Sequence, residues 1–213
     1  MMAYFPMFLN ISGRKCLVVG GGKVALRKVL VLLDFDARVT VVARKISDEI
    51  RNLPVDVCER DYAEEDIKAC ALVVAATDDA NVNHKVAETA KRYHIPVNAV
   101  DQPEDCTFIF PAYVKRKNVV GAFSSAGNSP VLTQYLKAQI QDVLTDELGE
   151  INEYMGSIRD TVKVSLATET ERKRAYRLVL EKLLRCNEAG QELQLSEPEL
   201  QEILEQIATE HTR

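Results

Sequence analysis

Short apolar runs recur through the first half of the chain, each closed by a polar or glycine-bearing break. Cys16–Val19, Ala37–Val42, Val55–Glu59, Leu72–Ala76 and Pro96–Val100 have the length and the β-branched content of strands. Between them, Val24–Leu33 places Val24, Val29, Leu32 and Leu33 at helical spacing, and Val82–Tyr93 also reads as a helix. The strand segments are apolar throughout, as expected where both faces of a sheet are covered. Strands alternating with helices predict an α/β fold: a Rossmann-type parallel sheet with helices on both faces.

The pattern changes after Asp101. Thr107–Tyr113 and Asn118–Ser124 read as two strands joined by the basic turn VKRKN, followed by the polar loop SSAGNSP. Ser129 then Pro130 is a strong helix start, an N-cap followed by proline at the first helical position, and the helix is expected to run to Leu144. Everything beyond reads as helical. Thr168 with Glu171, and Ser196 with Glu199, have capping-box spacing, the first opening a helix to about Arg185 and Asn187–Gly190 forming a loop. The expected organisation is a nucleotide-binding domain at 1–113, a small α+β connecting unit at 114–150 and an all-helical domain at 151–213.

The break after the first strand carries the most chemistry. Gly20, Gly22 and Ala25 fit G-x-G-x-x-[GA], with a strand before and a helix after. Gly20 permits a tight turn, Gly22 lets the backbone approach a pyrophosphate, and Ala25 lets the helix pack close to the sheet. Unpaired first-turn N–H groups would face the anion, with Lys23 adding charge. The competing reading is a plain turn. The acidic residue that usually ends the second strand and holds a ribose 2′-OH is missing; Ala43 and Arg44 stand there. Arg44 is open to three readings: a 2′-phosphate contact favouring NADP, a stacking partner for adenine, or a solvated charge. Thr77, at the end of the fourth strand, is a candidate neighbour of the cofactor, and Asp78 is expected to cap the helix that begins near Asn81.

Composition narrows the partners. The chain has 213 residues, is 46% hydrophobic and 28% charged, and carries a net charge of −5, against nucleic acid as the main partner. No apolar stretch suits a membrane span, and the first residues lack the features of a signal peptide. The five cysteines form no CxxC pair, which fits reduced thiols in a cytoplasmic protein. His84, His94 and His211 lack metal-ligand spacing, so no resident metal site is expected; His94 should end a helix, and His84 alone has a place near the expected cleft.

A second constellation follows the fifth strand. Asp101 ends it on the same edge as the glycine loop, with Asn98, a candidate cofactor contact, close by, and can serve as a general base, its pKa raised if it is buried. Asp-Gln-Pro is also ordinary turn chemistry. Ser124, Ser125, Gly127, Asn128 and Ser129 lead into a helix N-terminus suited to a carboxylate or phosphate, beside Lys115, Arg116 and Lys117; capping and a solvated loop are the plainer alternatives.

Taken together, FPMFLNISGRKCLVVGGGKVALRK, VVAATDD, VNAVDQPEDCTFIFPA and FSSAGNSPVL closely resemble the precorrin-2 dehydrogenases, which correspond to the N-terminal part of siroheme synthase and to stand-alone dehydrogenase/ferrochelatase proteins. The resemblance covers about residues 3–145. It implies NAD-dependent oxidation of the tetrapyrrole precorrin-2 to sirohydrochlorin, with Fe²⁺ or Co²⁺ as a further substrate in members that also chelate. It implies an intertwined homodimer built from a Rossmann domain, a dimerisation unit and a helical domain. The family's cofactor loop falls on Gly20, Gly21, Gly22, Lys23, Val24 and Ala25, its catalytic aspartate on Asp101, and its substrate-binding loop serine on Ser125. A different class of function, a nucleotide sensor signalling through its helices, would need the glycine loop but neither Asp101 nor Ser125.

Overall fold

The structure, a computed structural model, describes residues 4–210; His211 lies outside the described residues. The chain forms two compact units, divided along the sequence between Phe110 and Pro111. In the first, β1 (Lys15–Val19), α1 (Lys23–Asp34), β2 (Arg38–Ala43), α2 (Asp48–Arg51), β3 (Asp56–Glu59), β4 (Leu72–Ala75), α3 (Ala80–Arg92) and β5 (Val97–Ala99) follow in order, with short 3₁₀ turns at Glu64–Ile67 and Pro103–Asp105. All neighbouring strands are parallel, in the order β3-β2-β1-β4-β5. This is the Rossmann-type arrangement that the alternating pattern predicts.

The uninterrupted apolar strands have a direct explanation. Cys16 and Val18 of β1, with Val39, Val41, Leu72 and Val74, face one layer, into which α1 presents Ala25, Val29 and Leu32. Leu17 and Val19, with Val42, Val73 and Ala75, face the other, covered by Val86, Ala87 and Ala90 of α3. Both side-chain sets of β1 are buried, so period-two alternation has no polar half to show. Each fully buried valine or leucine contributes about 1.5–3 kcal/mol. The sheet is therefore a rigid base for the loops at its carboxyl edge. Burial also pushes the Cys16 thiol up to about 11, leaving it unreactive at neutral pH.

The second unit opens with a hairpin, β6 (Ala112–Arg116) antiparallel to β7 (Val119–Phe123), followed by α4 (Pro130–Val143), α5 (Asp146–Ser157), α6 (Arg159–Ser165), α7 (Glu169–Glu188) and α8 (Glu197–Glu210). Two boundaries differ from expectation. The first strand of the hairpin begins at Ala112, not Thr107, because Thr107 turns back onto β5: its hydroxyl accepts from the Val97 N–H at 2.8 Å. Lys115 and Arg116 consequently lie within β6, and the turn shrinks to Lys117–Asn118. The division expected at 150 falls inside α5, whose Gly149 packs against the hairpin; a Cβ there would lie 3.0 Å from the Arg116 carbonyl oxygen. The helices share a core of Ile151, Val162, Ala175, Val179, Leu183 and Leu204. The capping box at Thr168 and Glu171 is present, and Ser196 pairs through its N–H and hydroxyl with the Glu199 carboxylate.

Candidate functional site

In an open α/β sheet, ligands sit outside the carboxyl ends of the strands where the order reverses, here between β1 and β4. The glycine loop stands at that point, and its three glycines do different work. Gly20 has φ +128, and a Cβ on it would come within 2.2 Å of the Ala76 carbonyl oxygen. Gly21 has no room either: its Cβ would lie 2.1 Å from the Lys45 carbonyl oxygen. Both are demanded by the protein's own backbone. A Cβ at Gly22 would meet nothing within 4 Å, so the protein itself sets no steric demand for glycine there. Gly22 is the N-cap of α1 and offers no side chain to its first turn, which holds no acidic residue. Lys23 is exposed at the first helical position, Val24 is half-buried, and Ala25 is fully buried against the sheet. An uncapped helix start beside an open glycine suits a pyrophosphate.

At the end of β4, Thr77 is clamped from α3. Its N–H and hydroxyl both donate to Asn83 Oδ1, at 3.0 and 2.7 Å, and the Asn83 amide donates back to the Thr77 carbonyl at 3.1 Å. Asn83 is buried, and nothing in its local sequence announced the role. The helix cap is Asp79, not Asp78: α3 begins at Ala80, the N-cap must immediately precede it, and the Asp79 carboxylate accepts from the N–H groups of Asn81 and Val82.

Beyond β2, Ala43 is half-buried and Arg44 is exposed. The Arg44 guanidinium donates to both carboxylate oxygens of Asp61, Nε at 2.5 Å and Nη2 at 3.2 Å. The hydrogen bond from Arg44 holds the Asp61 carboxyl below its ordinary value. Asp61 is a residue that sequence reasoning missed, since it follows a different strand and only folding brings it to Arg44.

On the far side of the edge, Asn98 is buried and its amide donates to the Phe108 carbonyl at 3.1 Å and towards Cys106 Sγ at 3.5 Å, tying down the segment after the turn. Asp101 is exposed, with φ +59. The burial considered for it is not seen within the chain. Asp101 shares the left-handed conformation with Asp36, Ala69, His94, Lys117 and Ala126, so strain alone does not single it out. The support of its turn does. Gln102 Nε2 donates to the Ala80 carbonyl at 3.1 Å. Asp105, buried, receives His84 Nδ1 at 2.7 Å and Lys91 Nζ at 3.0 Å, both from α3. Burial works to raise the Asp105 carboxyl, but these two hydrogen bonds outweigh it and hold it below the usual range. His84 thus serves the turn, and among the described residues no cluster of three metal-ligating side chains exists. His94 stands just past the C-cap of α3.

In the second unit, the loop before α4 is held by its own serines. Ser124 Oγ accepts from the Ala126 N–H at 3.0 Å, Ser125 Oγ from the Ser129 N–H at 3.0 Å, and Ser129 Oγ from the Leu132 N–H at 3.2 Å. Each hydroxyl is used as an acceptor and keeps its proton to donate to an anion. Gly127, at φ +85, is required by backbone conformation, and both it and Asn128 are exposed. The basic segment is not available as expected: Arg116 pairs with Asp146 at 3.0 Å and Lys117 with Glu153 at 2.7 Å. Surface concavities of about 310 and 410 Å³ lie among the helices of this unit, lined in part by Leu195 and by Tyr176. Neither contains a residue of the serine loop or of the sheet edge.

Comparison with known proteins agrees with this geometry. The NAD_binding_7 model, which describes NAD(P)-binding domains, matches residues 7–112. The siroheme synthase of Nitrosospira multiformis is 41% identical over 188 residues, covering 84% of this chain and 40% of that protein. The siroheme synthase of Neisseria meningitidis serogroup C is 37% identical over 209 residues, covering 96% and 44% respectively. The chain thus spans less than half the length of these relatives. Among solved structures, SirC, a precorrin-2 dehydrogenase, superposes with a TM-score of 0.74 at 25% identity, covering 97% of this chain and all of that one.

Proposed function

Because the chain belongs to the family of precorrin-2 dehydrogenases and siroheme synthases, we propose that it oxidises precorrin-2 to sirohydrochlorin, with NAD as the hydride acceptor. The observation that carries this reading is the shared sheet edge: an uncapped helix start beside open Gly22 and, two strands away, a carboxylate at Asp101 on a turn strapped to α3. The first-turn amides of α1 and Lys23 hold the pyrophosphate. Thr77, fixed by Asn83, borders the cofactor. A bound NAD would supply the acceptor for a hydride from the reduced macrocycle. Asp101 takes the accompanying proton, so the substrate loses two hydrogens and the products are sirohydrochlorin, NADH and a proton. Taken by itself, the serine loop of the second unit offers the protons of Ser124, Ser125 and Ser129, donors that suit carboxylates such as those of the tetrapyrrole.

Two further readings attach to this one. The functional molecule is a homodimer: α4 leaves Val131, Leu132, Tyr135, Leu136 and Val143 exposed along its length, an apolar surface suited to a second copy. The five free cysteines agree with a reducing, cytoplasmic setting. Insertion of Fe²⁺ or Co²⁺ into the product is a separate activity, with Asp101 again the group able to take pyrrole protons.

Anaerobic incubation with precorrin-2 and NAD tests the whole reading. NADH absorbance should rise with formation of sirohydrochlorin, and Asp101→Asn should cut the rate by about 10²–10⁴-fold while nucleotide affinity holds. Unimpaired turnover by Asp101→Asn removes that residue from the mechanism. Metal added afterwards reads chelation, and light scattering on the same sample should give the mass of two chains.

A further inference from the structure

The end of β2 holds a contradiction. A carboxylate belongs there in a site that takes NAD, accepting the ribose 2′-OH, and an arginine belongs there in a site that takes NADP, meeting the 2′-phosphate. This chain has Ala43, Arg44 and Lys45 at that place, which by itself suits a phosphate. The structure puts a carboxylate back from another strand. In the β2–β3 pairing Ala43 stands opposite Glu59, so Asp61, two residues past the end of β3, comes within reach of Arg44, which follows the end of β2. Its two oxygens fill the guanidinium fork. The pair also has a fixed relation to the glycine loop. The segment after Arg44 is stitched to it, with the Ser47 N–H donating to the Gly21 carbonyl at 3.0 Å and the Lys45 carbonyl blocking any side chain at Gly21.

We propose that Asp61 is the specificity-determining residue for the nucleotide: it supplies the ribose-facing carboxylate that β2 lacks and withholds Arg44 from a 2′-phosphate. This rests on the reading of the glycine loop as a dinucleotide site and goes further, to the choice between its two ligands. The chemistry is consistent on both sides. The two bonds from Arg44 leave lone pairs on the Asp61 oxygens for a ribose hydroxyl. A 2′-phosphate would bring negative charge against Asp61, and its best partner, a bidentate arginine, is already engaged. Asp79 adds a second negative charge acting on Arg44. Lys45 is exposed next to the pair.

The pair is exposed, 83% and 70% at the two side chains, and exposed pairs contribute little to folding. Asp61 can therefore be changed without loss of the fold. Titrating dihydronicotinamide fluorescence gives the affinities of NADH and NADPH directly, independent of turnover. The unaltered protein should favour NADH by tenfold or more, and Asp61→Asn should raise the NADPH-to-NADH affinity ratio by about 10- to 100-fold. That gain should fade as salt rises and vanish in Asp61→Asn/Arg44→Ala, since it comes from the freed guanidinium. A purely structural role would weaken both nucleotides alike. A ratio that stays within about twofold in Asp61→Asn, or equal binding of both nucleotides by the unaltered protein, overturns the proposal. Binding of neither nucleotide instead overturns the dinucleotide site on which it rests.

Discussion

The glycine loop of the first unit and the serine loop of the second both run into the N-terminus of a helix, yet they are held by opposite means. The glycine loop is held from outside: the Ala76 and Lys45 carbonyls leave no space for side chains at Gly20 and Gly21, and the strands behind them are fully buried. The serine loop is held from within, by three hydroxyls that each accept one main-chain N–H. Its only steric demand is the positive φ at Ala126 and Gly127. The difference teaches where each loop can be altered. The first tolerates no added atoms at two positions but asks for no particular functional group. The second has room for atoms and depends on its hydroxyls.

The largest effects should come from the first loop, and they should separate. Gly21→Ala forces a Cβ onto the Lys45 carbonyl and should destabilise the fold by about 3 kcal/mol, read as a lower denaturation midpoint. Gly22→Asp adds its side chain in open space. It should leave Tm within about 2 °C while weakening NADH at least about a hundredfold, by setting a carboxylate where the pyrophosphate is held. Undiminished NADH binding by Gly22→Asp would break the comparison at its root. A smaller effect is expected in the second loop. Ser125→Ala orphans the Ser129 N–H, costs about 1 kcal/mol of stability, and should raise KM for the tetrapyrrole without changing NADH affinity. If NADH affinity falls as well, the division of labour between the loops is wrong.

The smallest effect lies away from both loops. Glu199 is held down to about 2 by hydrogen bonds from Lys182 and Ser196. A carboxyl depressed in the folded state adds stability above its unfolded value, and that stability is lost as pH falls towards the folded one. The stability difference between the unaltered protein and Glu199→Gln should therefore be full at neutral pH and shrink below the ordinary glutamate value of 4.5. A difference that does not change with pH in chemical denaturation would remove this ion pair from the account. Nucleotide binding should be indifferent throughout.

What the sequence disclosed follows from how far its signals reach. The five parallel strands were legible because burial on both faces leaves continuous apolar runs, and the start of α4 because Ser129 and Pro130 act on their immediate neighbours. The start of β6 was misplaced because Thr107 and Phe108 look like strand residues yet spend their hydrogen bonds on Val97. Asp61, Asn83 and Asp105 were invisible for a common reason. Each is an ordinary polar residue made significant by a partner on a different element, and no local spacing encodes that encounter. The glycine pattern gave the location of the loop but not its division into two positions shaped by the fold and one left open.

One helix governs more of this edge than its surface suggests. The clamp on Thr77, the acceptor for Gln102 and both donors to Asp105 all belong to α3. The segments leaving β4 and β5 are thus suspended from a common beam. Anyone grafting this edge onto another scaffold would have to carry the whole beam across, since the loops transplanted alone would arrive without their attachment points.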